Sequence, residues 1–383
     1  MRIGVVTTTR AEYGLLTPLM KRIVADEETE LVLIVTGTHL LEEYGKTVKY
    51  IEQDGFVIDL KVPVVIETNS PEAISRTMGN YFMGFAGVFE NLKLDYVVVL
   101  GDRYEMIPIC FCATNARIPI AHISGGEITA GAIDDMVRHC VTKMSHLHFP
   151  ACETYRKRII QLGENPATVF NVGDLGVENI KKMNFMNKEE LEERFGFANG
   201  SSYFMVVFHP ITLDERTPED QIHELLSAIE NIDNVNFLIM KANADLGGGL
   251  INRCLEQFVE KYTNCKLFSS LRYEEFLSLQ RFSIGLIGNS SSGIVETPCL
   301  GIPTINIGDR QKGRLMAESI ISCRVDRNEI KDAIDLAMTE DFRERARRAV
   351  NPYGTGETSL EILRHIKNAI KNNDSFQKMF YDI

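Results

Sequence analysis

The chain has no apolar run long enough to span a bilayer, so a membrane-embedded role is not expected. It has no excess of positive charge either: 41 lysines and arginines face 53 aspartates and glutamates, a formal net charge of −12. A field of that sign excludes general binding to nucleic acid or anionic lipid. Recognition of a phosphate must then come from a local arginine cluster. Cysteines are present, but no Cys-x-x-Cys pair and no cysteine–histidine spacing suited to a metal occurs. Cys110 and Cys112 fall in an apolar stretch, where a thiol behaves as a small hydrophobe. Free thiols and no signal peptide lead us to expect the reducing cytoplasm. Tandem repeats and low-complexity segments are missing too. So is Gly-x-Gly-x-x-Gly, which disfavours the usual dinucleotide-binding turn.

What is present is a rhythm. Short β-branched runs at 2–7, 31–36, 95–100, 118–123, 145–149 and 168–172 alternate with helical patterns near 14–26, 71–92, 103–116, 132–144 and 152–162. The alternation resumes with strands near 203–208, 235–240, 265–268, 283–287, 303–306 and 320–323, and helices near 219–231, 250–262, 273–279 and 292–300. Runs such as Tyr96-Val97-Val98-Val99-Leu100 are apolar throughout, as in parallel strands buried on both faces. The expectation is an α/β chain of two Rossmann-like, doubly wound domains facing a cleft. We place the first at 1–172 and the second at 173–356. A final segment, 357–383, carries a helix near 358–371 expected to pack back on the first domain. The boundary region includes glycine-punctuated Val172 to Gly176 and the charged stretch 181–200, ending in the turn cluster Asn199-Gly200-Ser201-Ser202.

One segment stands out chemically. Ile287-Gly288-Asn289-Ser290-Ser291-Ser292-Gly293 follows an apolar strand and leads into a helix. The hydroxyls of Ser290, Ser291 and Ser292, with backbone N–H groups at the positive helix end, suit a phosphate. Glu296, one turn on, suits the vicinal hydroxyls of a ribose. A plain serine-rich helix cap is the competing reading.

The other unusual polar residues also follow strands. Thr7-Thr8-Thr9-Arg10 opens a helix; Arg10 either meets an anion or sits on the surface beside a threonine cap. Asp102 in Gly101-Asp102-Arg103-Tyr104-Glu105 is a candidate acid or base, though Asp-x-x-Glu is also capping-box spacing. Ser124-Gly125-Gly126-Glu127 offers close backbone approach with a carboxylate beside it. Asp134 and Arg138 stand at i,i+4 on a helix whose buried face takes Ile133, Val137, Val141 and Met144, so they read equally as a surface ion pair or as site residues. His209 precedes Pro210 at a strand end, where a neutral imidazole donates to a phosphate or sugar. Arg310, Lys312 and Arg314 put three cations within five residues. His146 and His148 alternate on a strand and lack the carboxylates of a metal site.

Together these pieces resemble the UDP-N-acetylglucosamine 2-epimerase family, in its hydrolysing branch, over essentially the whole chain. The resemblance rests on Thr-Arg-Ala-Glu-Tyr at 9–13, Gly-Asp-Arg at 101–103, Gly-Gly-Glu followed by Asp-Asp and Arg-His at 125–139, and His-Pro at 209–210. It continues with Gly-Asn-Ser-Ser-Ser-Gly at 288–293, Gly-x-Pro then Arg-Gln-x-Gly-Arg at 301–314, and Asn-Pro-Tyr-Gly-x-Gly at 351–356. It implies a GT-B-like fold with UDP in the cleft. UDP-site candidates are Arg10, His209, Ser290, Ser291, Ser292, Glu296, Arg310 and Arg314; catalytic candidates are Asp102, Glu127, Asp134 and His209. Some relatives carry Glu where this chain has Ser124, which puts the division of acid and base roles in question.

The resemblance implies chemistry without metal or NAD. The C2 proton and UDP leave to form a 2-acetamidoglucal, and water adds to give N-acetylmannosamine and UDP for sialic acid biosynthesis. UDP-N,N'-diacetylbacillosamine, for legionaminic acid, is the alternative substrate. A reversible epimerase, a GT-B glycosyltransferase and a non-catalytic UDP-sugar sensor are rivals that product analysis separates. A homodimer or homotetramer is expected from the family.

Overall fold

The computed structural model describes residues 1–68, 70–196, 202–230, 232, 235–354, 356–372 and 376–383. Two six-stranded sheets organise the chain, and every pairing is parallel. The first holds β1 (Arg2–Thr7), β2 (Glu30–Thr36), β3 (Leu60–Val62), β4 (Tyr96–Leu100), β5 (Ile120–Ile123) and β6 (Leu147–Phe149), in the order β3-β2-β1-β4-β5-β6. The second holds β7 (Tyr203–Val207), β8 (Asn236–Met240), β9 (Cys265–Phe268), β10 (Gly285–Gly288), β11 (Thr304–Ile307) and β12 (Ile320–Cys323), in the order β12-β11-β10-β7-β8-β9. Counted from its own first strand, each sheet has the same doubly wound order, so the α/β, two-domain expectation holds.

The apolar strands explain the layering. Val97 and Val99 pack into the core on one side of the first sheet, while Tyr96, Val98 and Leu100 pack on the other. In the second sheet Phe204 and Val206 face one core, and Tyr203, Met205 and Val207 face the other. Helix Thr358–Lys371 returns to the first half, where Ile362, Leu363 and Ile366 join the core beside helix Arg10–Ala25. Its start is fixed by Glu178, whose carboxylate accepts the Ser359 amide and hydroxyl, each at 2.6 Å. No helix among the described residues is long and apolar enough to cross a membrane.

Several local expectations fail for identifiable reasons. The 168–172 run is no strand; it makes one bridge, His148 to Val169. Its neighbour β6 stops just before Pro150, which has no N–H to continue a ladder. The edge strand β3 has only three residues, too few to show a period. The 71–92 helix divides into Pro71–Phe85 and Val88–Leu92 at Ala86-Gly87. The charged boundary stretch contains helix Lys188–Phe195, started by a capping box between Asn187 and Glu190. Asn199, Gly200 and Ser201 of the turn cluster, and Thr355, lie outside the described residues.

Candidate active site

In doubly wound sheets the crevice opens where neighbouring strands send their connections to opposite sides. That point lies between β1 and β4 in one half and between β7 and β10 in the other. The two crevices face each other across a cleft of about 300 Å³. The first half lines it with Arg10, Asp102, Glu127 and Asp134. The second supplies His209, Ser290, Ser291, Ser292, Glu296, Arg310 and Arg314. The cleft thus brings together all the candidates proposed from sequence.

On the first half, helix Asp134–Met144 begins inside the cleft. Asp134 is its first residue, which leaves Ile133 ahead of the helix and exposed rather than on its buried face. Arg138, one turn on, is fully buried. Its guanidinium pairs with Asp102 and reaches Asp135 at 3.2 Å, the Glu127 carbonyl at 3.1 Å and the Thr129 hydroxyl at 3.1 Å. The surface pair between Asp134 and Arg138 is therefore not formed. A buried guanidinium must have its charge and donors met, and Asp102 meets the charge. The capping-box reading of Asp102 and Glu105 also fails. The next helix starts at Met106 without a side-chain cap, and Glu105 turns instead to Arg103 at 2.7 Å and the Thr8 hydroxyl at 2.9 Å.

These neighbours drive two aspartates apart. Burial favours the neutral form of Asp102, but Arg138, Arg314 and Arg310 outweigh it and hold the carboxyl below its ordinary range. Burial raises Asp134 to about 7, helped by Asp245 and Asp102 and opposed by Arg310 and Arg103. At neutral pH one is a fixed carboxylate and the other is poised to exchange a proton.

Glu127 ends a tight turn. Ser124 has φ of +66° and Gly126 of +76°, and a Cβ on Gly126 would fall 2.4 Å from the Tyr155 carbonyl oxygen. The turn holds the Glu127 carboxylate against Arg314 of the other half. The positive charge of Arg314, expected at a diphosphate, is thus met by a carboxylate. Lys312 turns outward to Asp309 at 3.0 Å and does not line the cleft.

On the second half, β10 lies so close to β7 that a Cβ on Gly288 would fall 2.0 Å from the Val207 carbonyl oxygen. Asn289 follows and organises three loops. Its amide group accepts the His209 N–H and donates to the His209 carbonyl, each at 2.8 Å. Its own carbonyl accepts from Arg310 at 3.1 Å and from Gln311 at 2.8 Å. Ser291 is exposed and Ser290 half-buried, whereas Ser292 is buried and accepts from Gln280 at 2.9 Å. The helix expected over 292–300 divides into Ser292–Val295 and Thr297–Leu300 at Glu296. Each piece is one turn, so its dipole is smaller than that of a full helix, and hydroxyls, amides and arginines carry more of the anion recognition. Glu296 accepts from the Tyr273 hydroxyl, and burial raises its pKa. Arg10 is not a surface residue: Nη1 crosses to the Leu271 carbonyl at 2.7 Å. Burial, then Arg310, lowers the pKa of His209 to about 3. Its Nδ1 accepts the Asn243 amide at 3.3 Å, so the neutral ring presents Nε2–H as a donor.

Several residues built into this site carry little signal in the sequence. Arg138 stands out there only as the i+4 neighbour of Asp134. Arg103 contacts Glu105 and, across the cleft, Asp245 at 3.2 Å. Asp245 follows β8 and obeys the same strand-end rule that picked out Asp102 and His209. Asp174, in the glycine-punctuated boundary, also lines the cleft; burial, then Glu127, raises it to about 7.

Comparison with known proteins gives a consistent answer. The family model described as UDP-N-acetylglucosamine 2-epimerase matches residues 21–367. The chain is 42% identical to the Escherichia coli polysialic acid biosynthesis protein P7, over 100% of this chain and 97% of that protein. It is 41% identical to the Campylobacter jejuni GDP/UDP-N,N'-diacetylbacillosamine 2-epimerase (hydrolyzing), over 90% of this chain and 89% of that protein. Among solved structures, the Neisseria meningitidis UDP-GlcNAc 2-epimerase bound to UDP-GlcNAc is similar with a TM-score of 0.78 at 18% identity, covering 96% of this chain and 100% of that one. At that identity the likeness speaks for the fold.

Proposed function

The chain belongs to the UDP-N-acetylglucosamine 2-epimerase family, and on that premise we propose that it is a hydrolysing 2-epimerase that converts UDP-N-acetylglucosamine and water to N-acetylmannosamine and UDP. The observation that carries this reading is the division of the cleft. Asp102, Glu127 and Asp134 gather on one wall, and His209, Ser290, Ser291, Glu296 and Arg310 on the other. The second wall suits UDP, with Glu296 at the ribose and the serines and arginines at the diphosphate. Arg10 reaches the same wall from the first half.

The chemistry follows from the charges. As the C1–O bond to UDP breaks, negative charge grows on the diphosphate, where Arg310, Arg10 and the His209 N–H stabilise it. Positive charge grows at C1 and the ring oxygen, which acidifies the C2–H. A carboxylate as weakly basic as Asp102 can then accept that proton, leaving a neutral 2-acetamidoglucal. The hydroxyl of water adds to C1 as C2 takes a proton from the opposite face. The proton left by the water restores the donor, and the one held by Asp102 passes to solvent as products leave. Asp134 suits that delivery because it holds a proton near neutral pH. Glu127, held by Arg314, lines the same cleft and suits alignment of the water.

A second substrate, UDP-N,N'-diacetylbacillosamine, is supported by the likeness to the Campylobacter jejuni relative, with Ser124 a small residue lining the cleft along with Glu127. Incubation with each UDP-sugar in D2O, followed by NMR, tests both readings. Free 2-epimerised sugar carrying deuterium at C2, with one UDP per sugar, is expected from one of them. A UDP-linked epimer would overturn hydrolysis, and no UDP without an added acceptor would favour a glycosyltransferase.

A further inference from the structure

Granting that reaction, we propose that Asp245 is a positioning residue, a carboxylate of the second half that latches the cleft shut by joining Arg103 of the first half to Arg310 of its own. Asp245 lies in the turn after β8 and is 8% exposed. One carboxylate oxygen meets Arg103 Nη1 at 3.2 Å, and the other lies 3.9 Å from Arg310 Nη2. Both ends of the latch are anchored. Arg103 is backed by Glu105 at 2.7 Å and Glu12 at 4.0 Å, and these carboxylates share the Thr8 hydroxyl at the end of β1. The Asp245 turn is held by Gly248 N–H to the Asp245 carbonyl at 2.9 Å and by Asn243 N–H to His209. Arg310 continues to the Asn289 carbonyl. A chain of polar contacts thus runs from β1 of one sheet to β10 of the other, through Asp245.

Other polar contacts cross the cleft, but they differ in kind. Arg314 and Glu127 are both candidates for work on the substrate. Arg272 and Asp54 form a pair a quarter or more exposed, where water and salt weaken it. Arg103 and Asp245 keep only 12% and 10% of their side-chain surface, and their contact exists only while the two halves are together. Parting the halves gives both charges back to water. Shielded in the closed cleft, the pair has greater Coulomb strength than an exposed one.

Closure matters for this reaction because the glycal is no longer tethered to UDP once the C1–O bond has broken. Its retention until water adds depends on the walls around it. The closed state also has its own reporters. Ala130 N–H donates to the Lys312 carbonyl at 3.0 Å, and Leu213 N–H donates to the Gly131 carbonyl at 3.2 Å, both across the cleft.

The test compares full-length wild type, Asp245→Asn and Asp245→Glu with UDP bound. Hydrogen–deuterium exchange is expected to speed up in segments 128–133 and 209–213 of Asp245→Asn, with β4 and β7 unchanged and Asp245→Glu restoring protection. Turnover should fall about tenfold or more, with a smaller change in KM, and free glycal should appear among the products. Unchanged exchange in those segments overturns the latch. So does faster exchange with wild-type turnover and no glycal released. If exchange responds as expected but the wild type releases UDP from neither UDP-sugar, the proposed function fails and the latch stands.

Discussion

Asp102 and Asp134 have the same side chain and titrate apart, because one pairs with Arg138 while burial, with Asp245 and Asp102 nearby, raises the other to about 7. Asp134→Asn should lower kcat by about 10²–10⁴ while UDP binding, measured by calorimetry, stays within a few-fold. Wild-type activity should fall as the pH rises through about 7, where Asp134 loses its proton, and this limb should vanish in the residual activity of the variant. Persistence of the limb would remove Asp134 from the acid role. Asp174 makes a stability prediction. Its ordinary value of 3.8 is raised to about 7, chiefly by burial, so between those values the native state keeps a proton that the unfolded chain has lost. Stability from this group therefore declines as pH rises through that window. Asp174→Asn, which still caps helix Leu175–Lys182, should gain on wild type as the pH rises from about 4 to about 7 in urea unfolding, by a few kcal/mol at most. Ser124 is a third case. Its φ of +66° suits glycine, so Ser124→Gly should raise stability by about 1 kcal/mol, seen as a higher Tm.

At the scale of elements, the strand ends and the loop that crosses the cleft set the geometry. The strand-end rule reads directly from sequence, since apolar runs such as β4 and β10 stop abruptly at Gly-Asp and Gly-Asn. The crossing loop does not read that way. Gly131 shows no special backbone angle, yet a Cβ there would lie 2.6 Å from the Asp309 carbonyl. Gly131→Ala should therefore hold the halves apart. Turnover should drop while urea unfolding of the separate sheets stays within about 0.5 kcal/mol of wild type. Full activity in this variant would show that the loop yields without cost. The interrupted helix at Glu296 is a similar case. Its residues form a periodic pattern, and only the packed structure reveals two single turns.

At the scale of the molecule, the chain passes from the first sheet to the second and returns through helix Thr358–Lys371. The first half is thus completed by residues more than two hundred positions beyond its own last strand. Ile366→Ala in that returning helix should cost about 2–5 kcal/mol and destabilise the first half, with thermal unfolding as the measure. A change under about 0.5 kcal/mol would mean that the helix only decorates that core.

The sequence by itself determined the α/β class, most of the strands and many of the side chains that line the cleft, though not the parts played by Arg103, Arg138, Asp174 and Asp245. Each of those depends on local pattern: apolar runs buried on both faces, and polar residues where the runs stop. Tertiary structure decided the partners. Arg138 meets Asp102 rather than Asp134, Arg314 meets Glu127, and Asp245 meets Arg103, because a buried charge takes whichever opposite charge the fold brings within reach. That choice depends on distances between residues far apart in the chain, and it separates the fixed carboxylate from the one that can give a proton.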